Sequence, residues 1–222
     1  MRVAGCTGRG QPCTGRGCVD HFQHEFVLGY PDQDPDTRIN ELASILESVV
    51  PVRVTSRLMN ELYSKLIVNS CITSLGALTG LMLGEMLARK KARILFLEII
   101  REAMEVAYIM KIDVPPYGGK LDYYKLIAYS GFRGRIKQHL TLRAIGMKYR
   151  RLKSSSLQSL ERGKMTEIDY LNGFIASNGT EFGVPVNVNR TIVEMVHEIE
   201  LGKRKITVSN LDDERFTKYY HK

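Results

Sequence analysis

The sequence predicts a mainly α-helical fold, and three observations lead to that prediction. Apolar residues recur at helical spacing over residues 57–79 and again over 84–110, which is the pattern of two long packed helices. Only two short stretches, 25–30 and 52–55, have the composition of β-strands. Apolar residues make up 44% of the 222 residues, which is enough for a substantial core. We therefore expect a helical bundle that is preceded by a short β-α-β segment.

Residues 1–24 differ in composition from the rest of the chain. They are rich in Gly, Cys and Arg and show no apolar period, so we predict a disordered tail. The GRG run at 8–10 lacks the third glycine of a dinucleotide-binding fingerprint. Five side chains could in principle supply zinc ligands: Cys6, Cys13, Cys18, His21 and His24. Their spacing lacks the C-x2-C pairs of known zinc sites, so we predict no metal site.

Residues 25–55 predict a strand, a helix and a second strand. The run EFVLGY at 25–30 predicts one edge strand, and the PDQDPD that follows is typical of a turn. Thr37 is expected to cap a helix that reaches about Val49. The second short strand, 52–55, completes this region.

The region 56–205 is predicted to be almost wholly helical. Beyond the two long helices, shorter helices are expected at 121–129, 136–152 and 186–201. Gly163 is expected to end a helix, since glycine favours the left-handed conformation that terminates helices. The remaining segment, 206–222, is predicted to be a polar tail at the surface.

A new helix is expected to begin at Thr166. Thr166 and Asp169 have the spacing of a capping box, in which both side chains accept hydrogen bonds from unpaired backbone amides. Glu167 would then lie in the first turn, where the helix dipole favours an acid. In this interpretation Glu167 has no role beyond stabilising the helix.

The positive charge of the chain is concentrated in residues 131–164. This segment contains ten Lys or Arg residues and one acid, Glu161, whereas the whole chain has a net charge of +8. Such a segment is either a solvated helix face or a surface that attracts anions. Because few aromatic residues lie among these cations, we expect small anions rather than nucleic acid. The chain shows no export signal and no membrane span, so we expect a cytoplasmic protein without a membrane partner.

A polar row on the first long helix is the best candidate for chemistry. Lys65, Asn69 and Thr73 are four residues apart and share one face of a helix that is otherwise apolar. Glu167 is a candidate acid partner for Lys65, and burial of the pair would make the lysine a plausible proton donor. The alternative is a structural ion pair.

These residues resemble a known family, the ketopantoate reductases. The run KLIVN at 65–69 resembles the K-x3-N helix of that family, and SSLQSLERGKMTEIDYLNGF with EFGVPVNVNRTI resembles its C-terminal signature. The resemblance implies an NADPH-dependent reductase that converts 2-dehydropantoate to pantoate in pantothenate and coenzyme A biosynthesis. It also implies an all-helical C-terminal domain of the 6-phosphogluconate-dehydrogenase-like kind. Residues 25–55 would be the remnant of a truncated Rossmann domain, and the chain alone would be inactive.

The resemblance also implies a role for each residue of the candidate site. Lys65 matches the lysine that protonates the ketone oxygen, and Glu167 matches the glutamate that contacts substrate and lysine, so both are expected to be catalytic. Asn69 and Ser155 match residues that bind the substrate. Thr73 stands where the family often has a second asparagine, and we expect it to be substrate-binding too.

Two further positions leave the substrate open. Leucines occupy Leu83 and Leu152, where the family can have polar residues. Loss of side chains that form hydrogen bonds with a substrate hydroxyl can change the discrimination between substrates by orders of magnitude. A related 2-oxo acid is therefore an alternative to ketopantoate.

The expected partners are a small 2-oxo acid, a separate or missing Rossmann domain, and a second copy of the chain. A homodimer could use the two long helices over 57–110, because apolar periodicity does not separate core from interface. The alternative function is a non-catalytic helical module that assembles or binds anions through residues 131–164.

Overall fold

The computed structural model describes residues 4–6, 26–129 and 131–220. Predictions about the other positions, including zinc ligands at Cys13, Cys18, His21 and His24, lie outside the described residues. The chain divides into two compact units, residues 1–63 and residues 64–222. Helices dominate the second unit, so the prediction of a mainly α fold is confirmed.

The described residues of the first unit form a three-stranded sheet, with one helix between its second and third strands. The strands β1 (Ala4–Cys6), β2 (Phe26–Gly29) and β3 (Val52–Val54) lie in that order, with β2 parallel to β3 and antiparallel to β1. The prediction that the first of these β-rich runs is an edge strand is therefore wrong, because β2 lies in the middle. Helix α1 (Thr37–Leu46) connects β2 to β3, and its apolar face packs on the sheet.

The cap of α1 is one residue earlier than predicted. Asp36, not Thr37, is the N-cap, because its carboxylate accepts a hydrogen bond from the backbone N–H of Ile39 at 3.1 Å. The same carboxylate oxygen accepts from the Tyr30 hydroxyl at 2.8 Å. This second bond fixes the loop that leads into the helix.

The remaining helices follow from α2 onward. Their bounds are α2 (Leu58–Thr79), α3 (Leu83–Ala88), α4 (Lys90–Ile109), α5 (Tyr123–Ala128), α6 (Gly131–Lys148), α7 (Ser155–Glu161), α8 (Asn172–Glu181), α9 (Asn187–Glu200) and α10 (Thr217–Tyr220). Short 3-10 helices occur at Ile168–Tyr170, Val208–Asp212 and Glu214–Phe216. None of the described helices has both the length and the apolar character needed to cross a bilayer.

The single helix predicted over 84–110 is in fact two helices that meet at Arg89. Arg89 has extended backbone angles and separates α3 from α4. The Arg93 guanidinium donates from Nη1 to the carbonyls of Leu87 and Ala88, both at 2.7 Å. These bonds satisfy carbonyls at the end of α3 that a continuous helix would have paired internally.

The core of the second unit lies around α2 and α4. Apolar side chains on both helices are fully buried within the chain, among them Ile67, Leu75, Leu95, Ile99 and Ala103. These side chains therefore belong to the core of the unit, and the use of the two helices in a homodimer stays a prediction. Helices α8 and α9 close the unit, and they approach closely because Gly179 lies against Val186.

Two local predictions in this unit are wrong. Thr166 and Asp169 do not form a capping box, because each side chain is bound by α9: Thr166 by Glu200 and Asp169 by His197. The predicted polar tail instead folds into two 3-10 helices and α10, which bury Leu211 and Phe216.

Candidate functional site

The predicted polar row is present on α2, but its members differ in exposure. Lys65 and Asn69 are half-buried, whereas Thr73 is buried. The Thr73 hydroxyl donates to the backbone carbonyl of Asn69 at 2.8 Å. Its proton is therefore used inside the helix, and only its lone pairs remain for another donor. Lys65 and Asn69 are thus the two members of the row that are not fully buried.

The residue before Ser155 makes a close contact with α2. Ser155 is the first residue of α7, and the preceding Ser154 caps that helix by accepting from the backbone N–H of Leu157 at 3.2 Å. A side chain at Gly76 would place its Cβ 2.4 Å from the Ser154 hydroxyl, so only glycine allows this approach. Gly76 lies eleven residues after Lys65, which is about three helical turns, so both face the same way.

The two leucines that replace polar family positions are also neighbours. The backbone N–H of Leu83 donates to the carbonyl of Leu152 at 2.9 Å, and the backbone N–H of Gly84 donates to the carbonyl of Arg150. Leu83 is only 2% exposed. The chain segment that enters α7 is thus held against the start of α3, and Leu83 contributes packing rather than an accessible surface.

Glu167 lies in a segment that α9 holds in place. The Glu200 carboxylate accepts from both the backbone N–H of Thr166, at 2.7 Å, and its hydroxyl, at 2.8 Å. Ile168 follows and is buried. Glu167 itself is exposed, and among the described residues its carboxylate makes no ion pair. The buried Lys65–Glu167 pair that we predicted is therefore not formed in this structure, and the role of Glu167 stays a prediction.

A pocket of about 290 Å³ lies on the other side of this segment. It is lined by Leu160, Gly163, Lys164, Met165, Ile199, Glu200, Arg204 and Ile206. None of the five predicted site residues lines it. Helical spacing thus keeps Lys65, Asn69 and Thr73 on one side of α2, while the parts of Ser155 and Glu167 in the site stay predictions.

Sequence reasoning missed two residues that position the candidate site. The sequence did contain a signal for Gly76, because a glycine inside a long apolar helix often indicates a close packing contact. The contact of Glu200 with Thr166 had no signal in the sequence, because the two residues are 34 positions apart and no pattern relates them.

The β2-α1-β3 region does not fit a dinucleotide cofactor. A pyrophosphate needs free backbone N–H groups at a helix start and a glycine-rich turn that lets the backbone come close. Here the turn, residues 31–36, contains no glycine and three aspartates, and the carboxylate of Asp36 already occupies the start of α1. These described residues would repel phosphate, so we assign no step of the reaction to a cofactor held there.

Comparison with known proteins agrees with the fold. The family model described as the C-terminal domain of ketopantoate reductase PanE/ApbA matches residues 57–200. The chain is 29% identical over 185 residues to a 2-dehydropantoate 2-reductase of Aquifex aeolicus, covering 82% of this chain and 54% of the relative. It is 28% identical over 195 residues to the enzyme of Escherichia coli O157:H7, covering 87% of this chain and 57% of the relative. The chain thus spans little more than half the length of these two relatives.

Solved structures give the same result. The chain superposes on a PanE/ApbA family ketopantoate reductase of Ralstonia eutropha JMP134 with a TM-score of 0.69 and 27% identity, covering 91% of this chain and 60% of that one. A D-mandelate dehydrogenase, solved with NADH and anilino(oxo)acetate, has a TM-score of 0.64 at 21% identity, covering 81% of this chain and 67% of that one. The second comparison shows the shared fold.

Proposed function

We propose that this chain, which belongs to the ketopantoate reductase family, supplies the substrate-binding and proton-donating part of a reductase that acts on ketopantoate or a related 2-oxo acid. The observation that carries the proposal is the contact of Gly76 with Ser154. This contact holds the start of α7 against α2, and it supports our placement of Ser155, the next residue, near the face that bears Lys65 and Asn69. In the proposed site, these two helices supply an ammonium, an amide and a hydroxyl.

The chemistry of these groups suits a 2-oxo acid. Reduction adds a hydride to C2 and a proton to the carbonyl oxygen, where negative charge develops. We assign the proton and the electrostatic stabilisation of that oxygen to Lys65. Asn69 and Ser155 donate hydrogen bonds that orient the substrate, with Ser155 on the carboxylate. By family resemblance, we assign to Glu167 a contact with the substrate and with Lys65.

The hydride donor must be held by residues other than those of β2-α1-β3, since that region does not fit a dinucleotide. By family resemblance the donor is NADPH. We propose that a nucleotide-binding part, on the same or another polypeptide, completes the enzyme, and that residues 26–222 by themselves do not turn over substrate. A homodimer is also part of the proposal, and a structural neighbour from Staphylococcus aureus is described as a dimeric ketopantoate reductase.

Binding of the substrate tests the proposal without the cofactor. Ketopantoate and a panel of other 2-oxo acids are titrated into the chain in a calorimeter. We expect saturable heats of binding. Lys65→Ala removes a charged hydrogen bond and should weaken that binding by about ten- to a hundredfold. Lys164→Ala removes the same charge from an exposed position in residues 131–164 and should leave binding unchanged. Equal losses in the two variants would overturn the assignment of Lys65.

The second candidate function is a non-catalytic helical module that binds an anionic partner. The observation that favours it is the exposure of most cations in residues 131–164, among them Arg133, Arg135, Lys137, Arg143 and Lys148 of α6. Reversal of three of these charges, at Arg133, Arg143 and Lys148, separates the two functions. If the chain is a non-catalytic module, the triple variant should lose binding of the anionic partner. If the chain is the substrate domain, the triple variant should bind the 2-oxo acid as the original chain does.

A further inference from the structure

Basic side chains of α4 and α6 influence one another where the two helices pack, and one pair is in direct hydrogen-bond contact. The Arg93 guanidinium of α4 donates from Nε to Nδ1 of His139 on α6, at 3.1 Å. Lys90 and Arg101 lie on the same face of α4 as Arg93, and Arg143 lies one turn after His139 on α6. Burial, followed by the positive charges of Arg93, Lys90 and Arg101, lowers the pKa of His139. The contact of Arg93 with His139 is therefore the centre of this group, and the charges of Lys90 and Arg101 act on it.

The acids of the protein leave this group largely uncompensated. Arg101 pairs with Glu98. Lys90 and Arg143, by contrast, have no ion-pair partner among the residues that the structure describes. Burial and the charge of Arg143 lower even the pKa of Arg93. Like charges held this close repel each other, and a bound anion would remove that repulsion.

Arg93 is fixed in place more firmly than a surface arginine. Its Nη1 donates to the carbonyls of Leu87 and Ala88, and its Nε donates to His139. The Nη2 amino group has no acceptor among the described residues. Because Nδ1 of His139 accepts a hydrogen bond, the neutral imidazole carries its proton on Nε2. Two donors, Arg93 Nη2 and His139 Nε2, therefore remain available, and the charges of Lys90 and Arg143 act on this pair of residues.

We propose that Lys90, Arg93, His139 and Arg143 form a binding site for a small phosphate-bearing anion. A phosphate dianion matches this arrangement because it accepts several hydrogen bonds at once and balances more than one cation. The site goes beyond the proposed reductase function, since it lies between α4 and α6 and uses no residue of the Lys65 row. It also gives a specific location to part of the charge that the sequence concentrates in residues 131–164.

The experiment follows the His139 imidazole by proton NMR in the intact chain. The resonance is assigned by its loss in His139→Gln, and inorganic phosphate is titrated at constant ionic strength with sodium chloride. We expect a saturable shift of the His139 C2 proton and a rise of the His139 pKa, because a bound anion favours the imidazolium. Arg143→Gln, an exposed position, should weaken phosphate binding by about tenfold or more.

The matched control is Arg133→Gln, which removes the same charge from the same helix about 15 Å away. Its phosphate affinity should equal that of the unmodified chain. Glycerol phosphate and vesicles that contain phosphatidic acid then distinguish a free phosphate from a lipid headgroup, and saturable binding of either supports the site. A shift that only tracks ionic strength, or equal losses in Arg133→Gln and Arg143→Gln, would overturn the proposal.

Discussion

Replacement of Glu102 by alanine should destabilise the second unit strongly, because this buried α4 side chain caps a different helix. Its carboxylate accepts hydrogen bonds from the backbone N–H groups of Val188 and Asn189, at 2.8 and 2.9 Å, and from the Asn189 side-chain amide at 2.7 Å. Val188 and Asn189 lie in the first turn of α9, where backbone N–H groups have no partner within the helix. Glu102 thus holds α9 against α4.

The size of the effect follows from the three donors. Each buried donor left without an acceptor costs about 1–3 kcal/mol, so three give a range that begins at about 3 kcal/mol. Loss of the carboxylate also removes the cost of burying it, so we expect a value near that lower end, about 3 kcal/mol.

Urea denaturation followed by far-ultraviolet circular dichroism measures this loss. The midpoint of Glu102→Ala should fall by about 1 M or more. Glu105→Ala, an exposed position on the same helix without a partner in the described structure, should stay within about 0.5 kcal/mol of the original chain. If the two variants unfold at the same urea concentration, Glu102 does not cap α9 and the reasoning fails.

The remaining predictions concern the pH dependence at Glu102 and two further packing sites. Burial raises the pKa of Glu102 above 4.5, so the folded state keeps this proton longer and the unfolding free energy falls as pH rises above 4.5. Glu102→Gln should remove that slope, and an unchanged pH profile would contradict it. Gly179→Ala should lower the unfolding free energy by about 1–3 kcal/mol, because its Cβ would lie 2.3 Å from Val186 Cγ1, whereas Ser177→Ala should not. Gln138→Met should cost about 1–3 kcal/mol by leaving two carbonyls of the α5 end unpaired; a neutral result in thermal unfolding would refute that role.

The elements predicted correctly are those whose signals are local. Helix α2 was expected over 57–79 and occupies Leu58–Thr79, because its apolar period continues without a breaker. Gly163 ends its helix with a positive φ of 66°, which is the conformation that glycine adopts most readily. In both cases the residues that decide the structure lie within one or two turns of the feature.

The errors arose where a distant residue decides the local structure. No glycine or proline lies next to Arg89, yet α3 ends before it. The Arg93 side chain donates hydrogen bonds to the last carbonyls of α3, those of Leu87 and Ala88. Thr166 has the sequence of a helix cap, yet Glu200 binds it from 34 residues away. Helix α6 begins at Gly131, earlier than the predicted residue 136, and Gly134 is accommodated because it lies against the Tyr129 backbone.

The candidate site was predictable only in part for the same reason. The helical spacing of Lys65 and Asn69 is a local signal, and the structure keeps them on one face of α2. The approach of Ser155 depends on Gly76 and Ser154, which lie 78 positions apart and show no joint pattern in the sequence. The pairing of Glu167 with Lys65 was inferred from charge and from the family resemblance, and it stays a prediction because Glu167 is exposed in this structure.

The most direct test of the central claim is NADPH oxidation in the presence of ketopantoate and other 2-oxo acids. The assay compares this chain alone with the chain mixed with the nucleotide-binding part of the Aquifex aeolicus relative. We predict turnover only in the mixture, and its loss in Lys65→Ala. Turnover by the chain alone, or a mixture that is inactive or indifferent to Lys65→Ala, would contradict the assignment of this chain as the substrate-binding part of the reductase.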